Sequence, residues 1–145
     1  MTRAFTLSAA MAGLLVAGTA AAEDARSVVT VVTAPEPQTQ LAAMVLSTQA
    51  VAQGADLHVL LCGPAGDMAL REAPEPVTAP QPPRDMSPQG LLAGLIERGA
   101  TVEVCAIYLP GLGAEADVLI DGVGVADPAA MAAAMLAEGT AVWSF

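Results

Sequence analysis

Two cysteines and one histidine are the side chains of this sequence best suited to chemistry, and they stand at positions 62, 105 and 58. A cysteine thiolate is a nucleophile and can also carry a sulfur atom as a persulfide. His58 and Cys62 are four residues apart in a predicted strand, about 13 Å, which is too far for both to bind one metal ion. Met68 and Met86 have thioethers that suit Cu(I), but packing beneath a loop is the simpler role for them. We therefore predict no metal site.

Cys105 is the stronger of the two cysteine candidates. It precedes a glycine-rich turn at the predicted carboxyl edge of a sheet, where backbone N–H groups can stabilise a thiolate. Glu103 lies two positions earlier on the same strand face, and its charge opposes ionisation if it is close. The local sequence leaves two roles open for Cys105, a reactive thiol or an inert core residue. For Cys62 it favours a small, buried, apolar residue.

A disulfide is the first expectation for two cysteines in an exported protein. Cys62 closes the second predicted strand, and Cys105 lies late in the third. In common doubly wound sheets the first strand lies between these two, which separates the Cα atoms of the cysteines by about 9–10 Å. A disulfide needs roughly 4.4–6.8 Å. We therefore predict two unpaired thiols in the folded monomer.

Residues 1–22 have the pattern of a cleavable secretory signal peptide. Arg3 gives a positive start, residues 4–18 are mostly apolar, and three alanines at 20–22 supply a cleavage site. The strongly apolar part is shorter than the ~20 residues that a membrane-spanning helix needs. We predict cleavage after Ala22, export to a bacterial periplasm, and no membrane attachment after cleavage.

The composition limits the classes of partner. The 145 residues include 15 acidic and 5 basic side chains, all five of them arginine, for a net charge of −10. Loss of the leader removes Arg3, so the mature charge is 4 − 15 = −11. This balance argues against nucleic acid and anionic membranes as partners, and 3% aromatic residues give no stacking platform. Nucleotide-binding and hydrolase signatures are missing from the sequence, so we predict no cofactor.

Strands and helices alternate along residues 23–145, which we interpret as one domain. Residues 27–33 are almost wholly β-branched, which is typical of a central parallel strand. Further strands are predicted at 56–62, 101–108, 122–125 and 140–145, and helices at 38–53, 65–71, 88–98, 114–120 and 128–138. Five prolines make residues 72–87 a long, extended surface loop, without a helix or an inner strand. We call this segment the Pro-rich loop.

This alternation predicts an α/β fold, namely a small, doubly wound, five-stranded parallel sheet with helices on both faces and a flavodoxin-like topology. Sites in such sheets form at the carboxyl ends of the strands. Those ends are residues 34–38, 62–66 and 105–113. A small domain that has few charged residues and exposes many Ala and Leu side chains is expected to bury an apolar patch in a homo-oligomer.

Three segments resemble the DsrE/DsrF-like family: TVEVCAIYLP at 101–110, GVGV at 122–125 and VWSF at 142–145. The likeness extends over essentially all of the mature chain, through the order and spacing of its segments. It implies a five-stranded parallel α/β fold that assembles as trimers or hexamers. It also implies a sulfur relay, in which one cysteine accepts sulfur as a persulfide and passes it to a partner. Only Cys105 matches that cysteine, and Cys62 has no matching role.

The resemblance implies a periplasmic sulfur carrier or sulfurtransferase-type relay protein, with Cys105 as its catalytic residue. Its partners would be a sulfur donor and a thiol acceptor. The export signal and the Pro-rich loop depart from the relay members, which work in the reducing cytoplasm. The alternative is a non-catalytic periplasmic binding or interaction module that uses the strand-end cleft, with the Pro-rich loop as a lid or a partner contact.

Overall fold

Five parallel strands form one sheet in residues 26–145, which are the residues that the computed structural model describes. The strands are β1 (Ser27–Val32), β2 (Asp56–Leu61), β3 (Thr101–Val104), β4 (Val123–Val125) and β5 (Thr140–Ser144). Their order in the sheet is β4-β3-β2-β1-β5. The fold class predicted from the sequence, a five-stranded parallel α/β sheet, is confirmed.

Helices cover both faces of the sheet. The α-helices are α1 (Pro37–Ala52), α2 (Glu75–Thr78), α3 (Pro88–Glu97), α4 (Tyr108–Leu112) and α5 (Pro128–Leu136), and 3-10 helices run over Gly63–Ala69 and Ala116–Val118. α1 and α3 pack together on one face, and α5 packs on the other. Right-handed crossovers account for this arrangement, because the chain moves one way across the sheet from β1 to β4 and moves back for β5.

Capping side chains set the starts of α3 and α5. Ser87 accepts a hydrogen bond from the Gly90 N–H (3.1 Å), and Asp127 accepts one from the Ala130 N–H (2.8 Å). Such caps satisfy backbone donors that a helix leaves free in its first turn. In both helices the next residue is a proline, which has no N–H to satisfy. A cap residue followed by proline is a helix start that can be read from the sequence, and it lies where each helix begins.

The two faces of the sheet are covered unequally. One face buries a large core against α1 and α3. The other buries a smaller group, which we call the α5-side cluster: Val29, Leu60, Ala126 and Met131. Leu136 at the end of α5 remains 86% exposed, and Val142 on β5 remains 47% exposed. The α5 side therefore carries an apolar surface that the rest of the described chain does not cover.

β2 and β3 are neighbours in the sheet, and on this point the sequence-based expectation is wrong. A flavodoxin-like order places β1 between them. Here the chain steps from β1 to β2, β3 and β4 in one direction, so the reversal falls between β1 and β5. Leu61 of β2 pairs with Val104 of β3. The residues that follow these two strands therefore lie opposite each other.

Three segments differ from their predicted local structure. Of the helix predicted at 114–120, only the 3-10 helix Ala116–Val118 forms. β3 ends at Val104, whereas the sequence predicted a strand that reaches position 108. The chain turns because the Tyr108 N–H bonds to the Cys105 carbonyl (2.8 Å), and α4 begins there. In the Pro-rich loop, Glu75–Thr78 form α2 although the prolines predicted no helix. Pro76 is compatible with α2 because a proline in the first turn needs no hydrogen-bond donor.

The predicted signal peptide, residues 1–22, lies outside the described residues. Within residues 26–145, no helix combines the length and the apolar character needed to cross a membrane.

Candidate functional site

Cys62 and Cys105 form a disulfide at the carboxyl ends of β2 and β3. Each cysteine follows its strand directly and continues the sheet's hydrogen bonding. The Cys62 N–H donates to the Val32 carbonyl (2.9 Å), and the Cys105 N–H donates to the Leu61 carbonyl (2.8 Å). The two Cα atoms are 5.1 Å apart, which is within the range that a disulfide requires. Since the chain has two cysteines, the bridge engages both.

The prediction of two unpaired thiols is therefore wrong. It rested on β1 lying between β2 and β3, which would separate the cysteines by two strand spacings. In the observed order one spacing separates them, and the parallel register places Cys62 directly opposite Cys105. A catalytic role for Cys105 stays a prediction, and it now requires that the bridge be opened.

The bridge lies on the thinly covered side of the sheet. Both cysteines are half-buried, and both pack against the α5-side cluster. The preceding residues, Leu61 and Val104, belong to the large core on the opposite face and are fully buried. Cys105 also packs against the large core. Both cysteines nevertheless keep part of their surface in contact with solvent.

A groove of about 360 Å³ lies between the two segments that follow the cysteines, and neither cysteine is among its lining residues. Its lining is Gly63, Pro64 and Asp67 after Cys62, and Ile107, Tyr108, Gly111 and Leu112 after Cys105. Ile107 is 80% exposed and Leu112 is 50% exposed, so the groove has an apolar rim. This groove is the strand-end cleft that the sequence placed near residues 62–66 and 105–113.

Tyr108 ties the two walls of the groove together. Its hydroxyl donates a 2.8 Å hydrogen bond to the Asp67 carboxylate. Its ring packs so closely on the backbone of Gly66 that a Cβ atom there would overlap the ring. Burial, then the hydrogen bond to Asp67 and its negative charge, raise the pKa of Tyr108 above the usual 10.0. The phenol therefore stays protonated and anchors the start of α4 to the 3-10 helix that follows Cys62.

We expect the folded protein to lose stability as the pH rises above about 10, and Tyr108→Phe to remove part of that loss. The unfolded chain releases the tyrosine proton near pH 10.0, whereas the folded chain retains it. Deprotonation therefore favours the unfolded state as the pH rises. The chain has one tyrosine and no lysine, so no other tyrosine and no lysine side chain titrates in this pH range.

Denaturant unfolding of the oxidised protein between about pH 8 and about pH 11 measures this effect. Tyr108→Phe is expected to show a shallower decline than the wild type, and to be less stable at pH 8 by about 1 kcal/mol because one hydrogen bond is lost. Equal declines in the two proteins would show that the folded chain does not hold the phenolic proton.

His58 and Glu103 pair on the same side of the sheet as the bridge. His58 Nε2 and Glu103 Oε2 are 2.8 Å apart, and both side chains are 24% exposed. His58 lies opposite Thr101, on the amino-terminal side of Glu103. The pair therefore holds the carboxylate on the side away from Cys105. The expected opposition of Glu103 to a Cys105 thiolate is weakened by this geometry.

The methionine and histidine side chains that were considered as metal ligands lie apart from one another. Met68 is fully buried in the large core, and Met86 is half-buried in the Pro-rich loop. His58 is engaged by Glu103. Among residues 26–145, no three His, Cys, Asp or Glu side chains are grouped as a metal site would require.

Similarity to known proteins appears in structure and not in sequence. No family model matches the chain, and no curated protein matches it significantly. The ychN protein from E. coli matches with a TM-score of 0.66 at 21% identity, over 83% of this chain and 99% of that one. MTH1491 from Methanobacterium thermoautotrophicum, a protein of unknown function, matches with a TM-score of 0.62 at 17% identity, over 84% of this chain and 100% of that one. At these identities the likeness establishes the fold alone: the chain shares the five-stranded parallel α/β fold of these two proteins.

Proposed function

We propose that this protein is a DsrE/DsrF-like sulfur carrier or sulfurtransferase-type relay protein of the periplasm, which holds sulfur as a persulfide on Cys105. The observation that carries the proposal is the position of Cys105, which directly follows β3 at the carboxyl rim of a DsrE/YchN-like sheet. Cys105 is half-buried there. Oxidative chemistry at cysteine follows thiolate character and exposure, so a cysteine at this rim is better placed than one inside the core.

The relay begins when a dithiol reductant opens the Cys62–Cys105 bridge. The Cys105 thiolate then attacks the outer sulfur of a donor such as thiosulfate; an S–S bond forms on Cys105, and sulfite leaves with the electron pair of the broken bond. An acceptor thiolate next attacks the terminal sulfur of the persulfide. It takes that sulfur and returns Cys105 as a thiolate. Each transfer exchanges one S–S bond for another.

The bridge suits the compartment that we propose. Disulfides persist in the oxidising periplasm, where a free thiol is readily captured. Closure of the bridge would therefore protect Cys105 between cycles, and a reducing partner would release it. The proposed location is supported by the signal-peptide pattern of residues 1–22.

The apolar surface on the α5 side supports a homo-oligomer, a trimer or hexamer, as part of the proposal. α5 has the sequence PAAMAAAML, without a charged residue. Leu136 at its end and Val142 on β5 are both exposed. Contiguous apolar surface on a small domain commonly marks a protein contact. The net charge of −10 disfavours nucleic acid and anionic membranes, so the sulfur donor and the thiol acceptor are the further partners.

The apolar groove favours a second candidate, a non-catalytic binding or interaction module. Ile107 and Leu112 present exposed aliphatic side chains at its rim. In such a module the bridge would only fix the two walls of the groove. Because the β2–β3 pairing and the Tyr108–Asp67 hydrogen bond also hold these walls, a folded variant that lacks both cysteines is then expected to keep binding, and neither protein is expected to transfer sulfur.

Mass spectrometry tests the assignment to Cys105. The full chain is reduced, freed of reductant and incubated with polysulfide or thiosulfate, and the expected gain is about 32 Da, one sulfur atom. Cys105→Ser is expected to abolish the gain and Cys62→Ser to retain it. The two variants are matched controls, because both lack the bridge and differ only in the thiol that remains.

The opposite pattern contradicts the proposal. An adduct that survives in Cys105→Ser would place the sulfur on Cys62. If neither the reduced wild type nor Cys62→Ser gains sulfur from either donor, the carrier function is wrong and the binding module becomes the better candidate.

A further inference from the structure

We infer that the Cys62–Cys105 disulfide is itself a sulfur-loading group: inorganic sulfide adds to it, leaving a persulfide on Cys105 and a thiolate on Cys62. This inference rests on the proposed function for the identity of the carrier cysteine. It gives Cys62 the role of electron acceptor and leaving group, and it names hydrosulfide as a substrate class.

The first argument is the place of the bridge. It lies at the rim of the sheet on the thinly covered side, and both cysteines keep part of their surface exposed. Leu61 and Val104, one residue earlier on each strand, are fully buried on the opposite face. A half-buried disulfide at the rim of the sheet is accessible to a small nucleophile such as hydrosulfide, and access is one of the conditions for thiol–disulfide exchange.

The second argument is that the surrounding fold holds the two cysteines together without the bridge. β2 and β3 are in parallel register from His58 opposite Thr101 to Leu61 opposite Val104. The Cys105 N–H bonds to the Leu61 carbonyl. After the S–S bond opens, these hydrogen bonds keep the Cα atoms near their present separation of 5.1 Å. The pair can therefore open and close reversibly.

A further contact outside the sheet has the same effect. The hydrogen bond from Tyr108 to Asp67 joins the segment after Cys105 to the segment after Cys62. The backbone hydrogen bonds between β2 and β3 and the Tyr108–Asp67 hydrogen bond both join the two sides of the bridge. Neither connection involves a sulfur atom. The bridge thus joins positions that the folded chain already keeps adjacent, as reversible redox chemistry requires.

The step balances without an added oxidant. Hydrosulfide attacks Cys105 Sγ, a new S–S bond forms, the Cys62–Cys105 bond breaks, and its electron pair leaves on Cys62 Sγ as a thiolate. The proton of hydrosulfide stays on the terminal sulfur of the persulfide or passes to water. The sulfide sulfur is oxidised to sulfane sulfur, and the disulfide is the group that is reduced. In the reverse step, the Cys62 thiolate attacks Cys105 Sγ and expels hydrosulfide.

The test uses the oxidised full chain and sodium sulfide without air, followed by alkylation to trap free thiols and persulfides. Before alkylation the expected gain is about 34 Da, the mass of one H₂S added across the bridge. Digestion after arginine separates the two sites, because Cys62 falls in fragment 27–71 and Cys105 in fragment 99–145. The extra sulfur is expected in the second fragment and a single free thiol in the first.

Cys62→Ser separates this inference from the proposed function. It has no bridge, so sulfide alone is expected to leave it unchanged, while polysulfide still adds sulfur to its Cys105. If sulfide leaves the oxidised wild type intact while polysulfide loads Cys62→Ser, the inference is wrong and the carrier function stands. Extra sulfur in fragment 27–71 also overturns it, and failure of both reagents overturns both proposals.

Discussion

Replacing Cys62 with alanine is expected to lower the free energy of unfolding of the oxidised protein by about 4 kcal/mol, since the bridge closes a loop over a sequence separation of 43 residues. Cross-linking across a loop of this length restricts the unfolded chain, which loses much of its conformational freedom. The loop contains the Pro-rich loop and α3, so a large part of the unfolded ensemble is affected. Denaturant unfolding under non-reducing conditions measures the difference.

Reduction of the wild type provides the control for this prediction. A reductant is expected to lower the stability of the wild type to nearly that of Cys62→Ala, and to leave the variant unchanged. Cys105→Ala should lose a similar amount, because it opens the same loop. An oxidised wild type no more stable than either variant would show that the bridge does not form in solution.

Replacing Gly66 with alanine is expected to destabilise the fold by about 1–3 kcal/mol, the usual cost of overpacking a well-packed site. A Cβ atom at position 66 would overlap the ring of Tyr108, with Cδ2 and Cζ both at 2.6 Å. The ring cannot move away freely, because Tyr108 is buried and its hydroxyl is bonded to Asp67. Thermal unfolding compared with the wild type measures the loss.

Gly94→Ala is the matched control, with the opposite expected sign. Gly94 lies inside α3, and a Cβ there meets no heavy atom within 4 Å. Alanine should stabilise that helix by up to about 1 kcal/mol, because glycine has the lower helix propensity. If Gly66→Ala is as stable as Gly94→Ala, the close packing of Tyr108 on the 3-10 helix is not a feature of the protein in solution.

Much of the fold follows from local sequence, and the site does not. The β-branched run at 27–33 predicts β1, and the Ser87 and Asp127 caps predict α3 and α5, because each signal lies within a few residues of its effect. The order of the strands is set by how whole helices pack on the sheet. Whether Cys62 meets Cys105 depends on that order and on the register of β2 and β3. The assumption that β1 lies between these strands therefore led to the wrong prediction of two free thiols.

The contacts that shape the groove gave no usable signal in the sequence. Tyr108 and Asp67 meet only because β2 and β3 are neighbours and the segments that follow them turn at the same edge of the sheet. Nothing in the sequence distinguishes Gly66 from the other glycines, whereas in the structure its lack of a Cβ atom admits the Tyr108 ring. The sequence did predict that the segments after β2 and β3 lie at one edge of the sheet, because parallel strands bring their carboxyl ends to the same edge.

The place of β1 in the sheet has a consequence for the order in which the protein can assemble. β1 borders β2 on one side and β5 on the other, so one of its edges stays unpaired until β5 joins the sheet. β1 has the sequence SVVTVV, without a charged residue, and a bare edge of that kind readily pairs with other chains and aggregates. Pairing with β5 therefore places this aggregation-prone edge of β1 inside the sheet.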